Sequence, residues 1–227
     1  MKERGMIFNG EMVRAILDGR KTQTRRIMAP QPEPCPRGGH WWPSNVFKTM
    51  LHVEDEMQNG KGGWGGLVGD ACPFGDVGDR IWVREAFRVH SRATDVATLV
   101  YKASERNSWT EQTHRVPVAV CNKPATPEKW TPSLHMPRWA SRILLEITGV
   151  RVERLNAISE EDARAEGIID GGCLNCGEPE PCGCANPEPD ATDAFAYLWQ
   201  SIYGQESWNA DPWVWVIEFK RVEGGAA

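Results

Sequence analysis

The chain lacks an apolar run approaching the roughly 20 residues that a membrane-spanning helix needs. Residues 1–10 contain no hydrophobic stretch followed by a small-residue cleavage site, so no secretory signal is visible. A Gly-rich phosphate loop and a regular alternation of strands and helices are also missing, which argues against the common parallel-sheet nucleotide-binding folds. These absences favour a protein of the cytoplasm that has no membrane partner.

An excess of positive charge is missing as well. The chain has 31 acidic and 26 basic residues, giving a net charge of −5 at pH 7. A protein that coats nucleic acid by bulk electrostatics needs many cations, because its affinity grows with each phosphate contacted. Arginines nevertheless cluster in a few short segments, which is compatible with a local basic groove.

Apolar periodicity predicts a mixed α+β fold. Asn9 is a candidate N-cap for a helix over about residues 10–18, which Gly19 would end. Alternating apolar residues predict several short strands, with the strongest pattern at 213–222. A few helices among short, bent strands indicate a small β-barrel with peripheral helices, formed by a single domain over residues 1–227.

Two stretches interrupt this pattern, at about residues 28–78 and 169–190. The first is rich in Pro, Gly and polar residues, and we expect an irregular insertion that lies over the core or acts as a lid. It contains Trp41, Trp42 and Trp64. These rings either hold the insertion down or form a stacking surface, and the sequence leaves both alternatives open.

The second stretch contains four of the seven cysteines, Cys173, Cys176, Cys182 and Cys184. Four thiolates around one zinc ion would give this Gly/Pro-rich loop a cross-link that apolar packing does not supply. Disulfides formed during purification and free thiols are the alternatives. A four-cysteine zinc site has no open coordination position, so the predicted zinc is structural, and no organic cofactor is expected.

Two polar segments carry the candidate chemistry. The first is the basic stretch 20–26 with Lys21 and Thr24, and the second is Glu85, which closes a strand-forming run. A threonine hydroxyl becomes nucleophilic when a base takes its proton, and a lysine with a lowered pKa is a suitable base. A carboxylate would orient the lysine or transfer protons. The alternative is an ordinary basic cluster at a helix end, with Glu85 in a salt bridge.

The string Gly-Arg-Lys-Thr-Gln-Thr-Arg-Arg after a short helix, followed by Gly-Asp-Arg-Ile-Trp-Val-Arg-Glu, resembles the ASCH domain, a branch of the PUA-like β-barrels. His-Met-Pro-Arg-Trp-Ala-Ser-Arg at 135–142 and the segments 158–168 and 207–222 resemble a subgroup common in bacteriophages and prophages. Together these motifs cover about half of the chain.

The resemblance implies a groove that binds RNA or a modified nucleoside in the cytoplasm of a bacterial host. Small bacterial ASCH enzymes hydrolyse N4-acetylcytidine with a lysine, a threonine and a glutamate, which match Lys21, Thr24 and Glu85. In that amidohydrolase mechanism Thr24 attacks the amide carbonyl, Lys21 acts as base, and Glu85 orients Lys21 or transfers the proton. Further arginines would bind ribose, phosphate or the oxyanion, namely Arg26, Arg84 and Arg138.

The chain departs from the minimal amidohydrolases, since it is about twice their size and has two insertions. A retained motif therefore does not determine the substrate. One alternative is a non-catalytic RNA-binding or reader module with the same pocket. Another is a phage factor that binds a host protein through the tryptophan-rich insertion.

Overall fold

The computed structural model describes residues 1–58, 67–169 and 191–222. Helices and strands are mixed along the chain, which confirms the α+β class. The strands are β1 (Glu3–Ile7), β2 (Gln23–Ile27), β3 (Glu33–Pro34), β4 (His40–Ser44), β5 (Thr49–His52), β6 (Arg80–Arg84), β7 (Phe87–Arg92), β8 (Val96–Tyr101), β9 (Thr113–Pro117), β10 (Leu144–Arg154) and β11 (Trp213–Arg221).

The helices in the described residues are short. They are α1 (Gly10–Leu17), α2 (Val53–Glu56), α3 (Leu67–Ala71), α4 (Trp109–Gln112), α5 (Glu160–Ala165), α6 (Ala191–Tyr203) and α7 (Gln205–Asn209). Single 3-10 turns occur at Lys102–Ser104, Ser133–His135, Arg138–Ala140 and Leu155–Ala157. Across the described ranges, no helix has the length and apolar character needed to span a membrane.

The chain divides into two compact units, each assembled from separate stretches. The first unit comprises Met1–Gly19, Gly78–Glu146 and the C-terminal residues from 220 onward. The second comprises Arg20–Val77 and Ile147–Phe219. The single-domain assignment over 1–227 stays a prediction.

The first unit contains two sets of paired strands. Strand β1 runs parallel to β6, and the beginning of β10 pairs antiparallel with the other side of β6. Strands β7, β8 and β9 form an antiparallel sheet. One face of that sheet packs on a core that includes Phe87, Leu99, Tyr101 and Met136.

Helix α1 of the first unit forms where the sequence predicts it. The Asn9 side chain accepts a hydrogen bond from the Met12 backbone N–H at 2.8 Å, which satisfies an otherwise unpaired donor of the first turn. Val13 and Ile16 are buried, as their i, i+3 spacing predicts. Gly19 follows the helix with φ of +77°, a left-handed conformation that glycine adopts without steric cost.

The second unit is organised around β11, which lies between β10 and the antiparallel strand β2. Residues 213–217 are all buried, so this strand is covered on both faces rather than on one. Helices α5 and α6 contribute to the core beside it, which includes Leu155, Phe195, Trp199 and Val214.

The stretch 28–78 is more ordered than the sequence suggested. Strands β3, β4 and β5 form an antiparallel sheet within it, and α2 and α3 follow. Trp42 is 4% exposed, its ring centroid lies 5.4 Å from that of Trp215, and its Nε1 donates to the Pro30 carbonyl at 3.0 Å. Trp42 therefore holds this stretch down, and the expectation of an irregular insertion was wrong for the part that is described.

Two predictions concern residues outside the described ranges. Trp64 and the four-cysteine loop at Cys173, Cys176, Cys182 and Cys184 fall there. The pairings within the described residues form no closed barrel, so the PUA-like form of the fold also stays a prediction.

Candidate functional site

An open cavity of about 710 Å³ lies in the first unit. This volume is in the range of pockets that bind small molecules. Its wall is formed by the start of α1, the residues after β6 and the turn after β8. The lining residues are Phe8, Asn9, Gly10, Glu11, Arg14, Glu85, Ala86, Lys102, Ala103, Glu105, Arg106, Asn107 and Ser133.

Glu85 is the most buried acidic side chain of this wall, being only 2% exposed. Arg142 binds both of its carboxylate oxygens, with Nε 2.9 Å from Oε1 and Nη2 3.1 Å from Oε2. The same Nη2 donates to Ser104 Oγ at 2.8 Å, and the guanidinium lies 4.1 Å from the centroid of the Tyr101 ring. Two-point binding fixes the plane of the carboxylate as well as its position.

Burial dominates the protonation behaviour of this group. It raises the pKa of Glu85, although the hydrogen bonds and the charge of Arg142 act in the opposite direction. Burial also raises the pKa of Tyr101, whose hydroxyl donates to the Ala140 carbonyl at 2.8 Å. Burial and the positive charge of Arg142 lower the pKa of His114. Arg142 supplies the positive charge that offsets part of the effect of burial on Glu85.

This arrangement is suited to recognising polar, nitrogen-bearing ligands. A carboxylate held in place accepts hydrogen bonds from amino or imino groups. Arg14, Lys102 and Arg106 add cations to the lining, and Glu11 and Glu105 add further acids. The cavity therefore combines one fixed acceptor with a mixed-charge wall.

The second unit holds a different polar centre at Lys21. Its side chain is fully buried, and Nζ lies 2.5 Å from Glu166 Oε2 and 2.9 Å from the Glu166 carbonyl oxygen. Burial lowers the pKa of Lys21, while Glu166 raises it and the nearby Arg26 and Arg25 lower it further. The carboxylate that contacts Lys21 within this unit is thus Glu166.

Glu166 belongs to a larger set that we name the Lys21 cluster, consisting of Lys21, Arg25, Arg151, Glu153, Asp162 and Glu166. Arg25 lies 2.5 Å from Glu153, 3.0 Å from Asp162 and 3.2 Å from Glu166. Arg151 lies 3.1 Å from Glu153 and 2.7 Å from Asp162, and it also pairs with Glu218. These ion pairs join β2, β10 and α5.

The other predicted residues of β2 are also placed by strand pairing. Thr24 is 1% exposed and lies opposite Ile217, and Arg26 lies opposite Trp215. Lys21 and Thr24 therefore belong to the second unit and Glu85 to the first. Their joint action in catalysis stays a prediction, and the salt bridge at Glu85 considered as its alternative is present with Arg142.

The remaining predicted arginines of the first unit have partners outside the cavity lining. Arg84 donates to the Leu134 carbonyl and lies 5.4 Å from the Trp82 ring centroid. Arg138 Nε lies 2.9 Å from Glu3 Oε2. Neither side chain belongs to the described wall of the cavity.

Arg142 and Glu166 are functional partners that were not among the residues predicted from the sequence. Glu166 had a recognisable signal, because it caps the C-terminal end of α5, where the partial negative charge of a helix disfavours a carboxylate. A cation nearby stabilises such a residue. Arg142 was visible only as one of several clustered arginines, and its contact with Glu85 spans 57 residues of sequence.

The described residues contain no group of three or more His, Cys, Asp or Glu side chains that could hold a metal ion. The predicted zinc ligands lie outside these residues, so the zinc site stays a prediction. Cys35 and Cys121 are buried free thiols, and Cys72 is also buried.

Comparison of the chain with family models, with curated proteins and with solved structures gave no match. The resemblance to ASCH domains therefore depends on the sequence motifs alone.

Proposed function

We propose that this protein binds RNA or a modified nucleoside and that the cavity beside Glu85 receives the base. The observation that carries the proposal is the buried Glu85 carboxylate, held at two points by Arg142 in the wall of a cavity of about 710 Å³. A buried carboxylate is costly, and one that lines a cavity has room for a ligand beside it.

The chemistry of the lining fits a nucleobase with an exocyclic amino or amide N–H. Carboxylates accept hydrogen bonds from the N4 amino group of cytosine. Arg14, Lys102 and Arg106 can neutralise a phosphate or hydrogen-bond a ribose. The ASCH-like motifs support the same ligand class, and with it a PUA-like arrangement of the strands.

Binding is favoured over turnover by the state of the two ionisable groups. Glu85 is engaged by Arg142 on both oxygens, and Lys21 is engaged by Glu166 through a carboxylate and a carbonyl. Either group would have to leave a charged partner before it could transfer a proton. A non-catalytic reader module needs no such rearrangement.

Isothermal titration with cytidine, N4-acetylcytidine, uridine and adenosine tests the binding site. We expect at least one nucleoside to bind and Glu85→Gln to weaken its binding by about tenfold, the effect of losing one charged hydrogen bond. Glu105→Gln changes an exposed acid of the same lining and should alter affinity less than twofold. Asn107→Trp should block the cavity without disturbing the Glu85–Arg142 pair.

Two results would reject the nucleoside site. One is the absence of binding to all four nucleosides by a folded wild-type protein. The other is affinity that stays unchanged in both Glu85→Gln and Asn107→Trp.

The second candidate function is an amidohydrolase acting on N4-acetylcytidine, favoured by the lowered pKa of Lys21. Thr24 Oγ would attack the acetyl carbonyl as Lys21 takes the hydroxyl proton. Cytidine would leave through its protonated N4 amino group, and water would release acetate from the acyl-threonine. This second function assigns the base role to Lys21 and the nucleophile role to Thr24, both of which belong to the second unit.

Mass spectrometry of the nucleoside after incubation tests this second function. Thr24→Val removes the hydroxyl at nearly constant volume, so turnover should fall by at least about a hundredfold while nucleoside affinity is retained. Wild-type protein that binds N4-acetylcytidine but leaves it intact supports the reader module instead.

A further inference from the structure

The β7–β8–β9 sheet of the first unit has a second face, which is covered at Val100 and exposed at Arg115. Its inner face carries Phe87, Val89 and Leu99, which are buried in the core. Because strand side chains alternate, Arg88 points to the opposite face, as does Arg115, the neighbour of buried Val116. We name this opposite face the Arg88 face.

Charge on these strands differs from the chain average. The described strands β7, β8 and β9 contain Arg88, Arg92 and Arg115 and no aspartate or glutamate. The whole chain, by contrast, has a net charge of −5. The acid nearest in sequence to β9, Glu111 of α4, is engaged with the Ser108 hydroxyl at 2.9 Å and the Ser108 backbone N–H at 3.1 Å.

Two tryptophans accompany these cations. The Arg88 guanidinium lies 4.5 Å from the ring centroid of Trp130. Thr131, the next residue, pairs with Phe87, which sets Trp130 beside Arg88 at the edge of the sheet. Both residues are half-buried, so part of each side chain reaches the surface.

The second tryptophan is Trp109, the first residue of α4. Its side chain is 53% exposed, and its ring centroid lies 4.9 Å from that of His90. A capping box formed by Ser108 and Glu111 holds this short helix at its start. The exposed part of this indole is available for stacking with a base.

Exposed aromatic rings alternating with arginines are the pattern that binds unpaired bases and their phosphates. We propose that the Arg88 face binds single-stranded nucleic acid, with bases stacked on Trp109 and Trp130 and phosphates contacted by Arg88 and Arg115. The inference does not depend on the Glu85 cavity. A double helix fits less well, because paired bases are stacked on one another and do not offer their faces to tryptophan.

Fluorescence anisotropy with labelled oligouridylate and oligothymidylate of about ten nucleotides tests this surface. We expect Trp109→Ala to weaken binding about tenfold and Trp109→Phe to restore most of it. Arg115→Gln should weaken binding and reduce the slope of log affinity against log salt by about 1. Trp109 and Arg115 are both exposed, so these variants should stay folded.

Matched controls come from exposed residues of the second unit. Tyr197→Ala removes an aromatic ring that is 65% exposed on α6, and Arg37→Gln removes an exposed arginine. Both should change oligonucleotide affinity less than twofold. Trp109→Ala should weaken binding by the same factor in the cavity variant Asn107→Trp as in the wild type, which separates this surface from the nucleoside site.

The inference is overturned if the double variant Trp109→Ala/Arg115→Gln, with wild-type circular dichroism, binds the oligonucleotides as well as the wild type. It is also overturned if the wild type binds duplex DNA or heparin as tightly as the single strands, since the face would then recognise negative charge without reading unpaired bases.

Discussion

The two units bury the same kinds of charge in different ways. In the first unit, Glu85 is paired with one arginine and borders a cavity. In the second, Glu166 is paired with both Lys21 and Arg25, and Arg25 continues to Glu153 and Asp162. Both carboxylates are nearly inaccessible, at 2% and 3% exposure.

The two centres differ in whether a space in which a ligand could bind borders the buried charges. A buried ion costs several kcal/mol in desolvation unless partners compensate it, and a network compensates more completely than a single pair. The Lys21 cluster pairs its buried charges, Lys21, Arg25 and Glu166, with one another and joins three elements of secondary structure. Glu85 of the Glu85–Arg142 pair lines a cavity large enough for a ligand. Burial and a perturbed pKa therefore do not by themselves distinguish a structural centre from a binding centre.

The largest expected effect is on stability, in the Lys21 cluster. Glu166→Gln removes the charge that faces two buried cations, and breaking such a pair costs about 3 kcal/mol or more. Urea unfolding followed by tryptophan fluorescence measures this loss. The matched control is Glu161→Gln, an exposed acid of the same helix, which should change stability by no more than about 0.5 kcal/mol.

An equal, small effect of the two substitutions would contradict the structural role of the cluster. It would mean that Lys21 is held loosely enough to lose its partner at little cost, which is what the hydrolytic function requires. The same measurement thus tests both the structural role and the proposed catalytic role of Lys21.

We expect an effect of intermediate size on stability from Arg142→Lys, which changes the Glu85–Arg142 pair. Lysine keeps the positive charge but loses the fork that binds both oxygens of Glu85 and contacts Ser104. We expect a stability loss of about 2 kcal/mol, the value of hydrogen bonds to a charged group. Nucleoside affinity, measured by calorimetry, should fall about tenfold because Glu85 loses its fixed orientation. A stability loss without any change in affinity would make Arg142 structural, like Arg25.

Local features of the fold could be predicted from the sequence. The cap and ends of α1, the Ser159 cap of α5 and the apolar pattern of β11 depend on residues a few positions apart. The sheet of β3, β4 and β5 was missed because prolines and glycines interrupt its pattern. Its buried anchor, Trp42, contacts Trp215, a residue far away along the chain.

The candidate sites show the same division between local features, which the sequence predicts, and contacts between distant residues, which it does not. Residue types and motifs single out Lys21, Thr24 and Glu85. The charged partners of Lys21 and Glu85, however, come from distant segments. Lys21 and Glu166 are 145 residues apart, and Glu85 and Arg142 are 57 apart. The sequence shows which groups can react, and the pairing within each unit determines which of them are free to do so.

The smallest expected effect is the pH dependence of the stability that Asp162 of the Lys21 cluster contributes. Burial by itself raises the pKa of Asp162, but Arg151 and Arg25 outweigh it and hold this pKa below its ordinary value. A carboxylate with a lowered pKa in the folded state stabilises the protein above its unfolded pKa of about 3.9. That stabilisation is lost as the pH falls through the lower folded value.

Asp162→Asn should therefore be less stable than the wild type at pH 7, and the two should converge as the pH drops below about 4. Urea unfolding midpoints between pH 7 and pH 3 measure the difference. If the difference in unfolding midpoint stays constant over this range, Asp162 contributes to stability through its shape rather than its charge. Fewer ion pairs of the Lys21 cluster would then stabilise the protein than its contacts suggest. Because Asp162 is part-exposed, solvent screens its ion pairs, and the stability lost in Asp162→Asn at pH 7 should be smaller than the loss in Glu166→Gln.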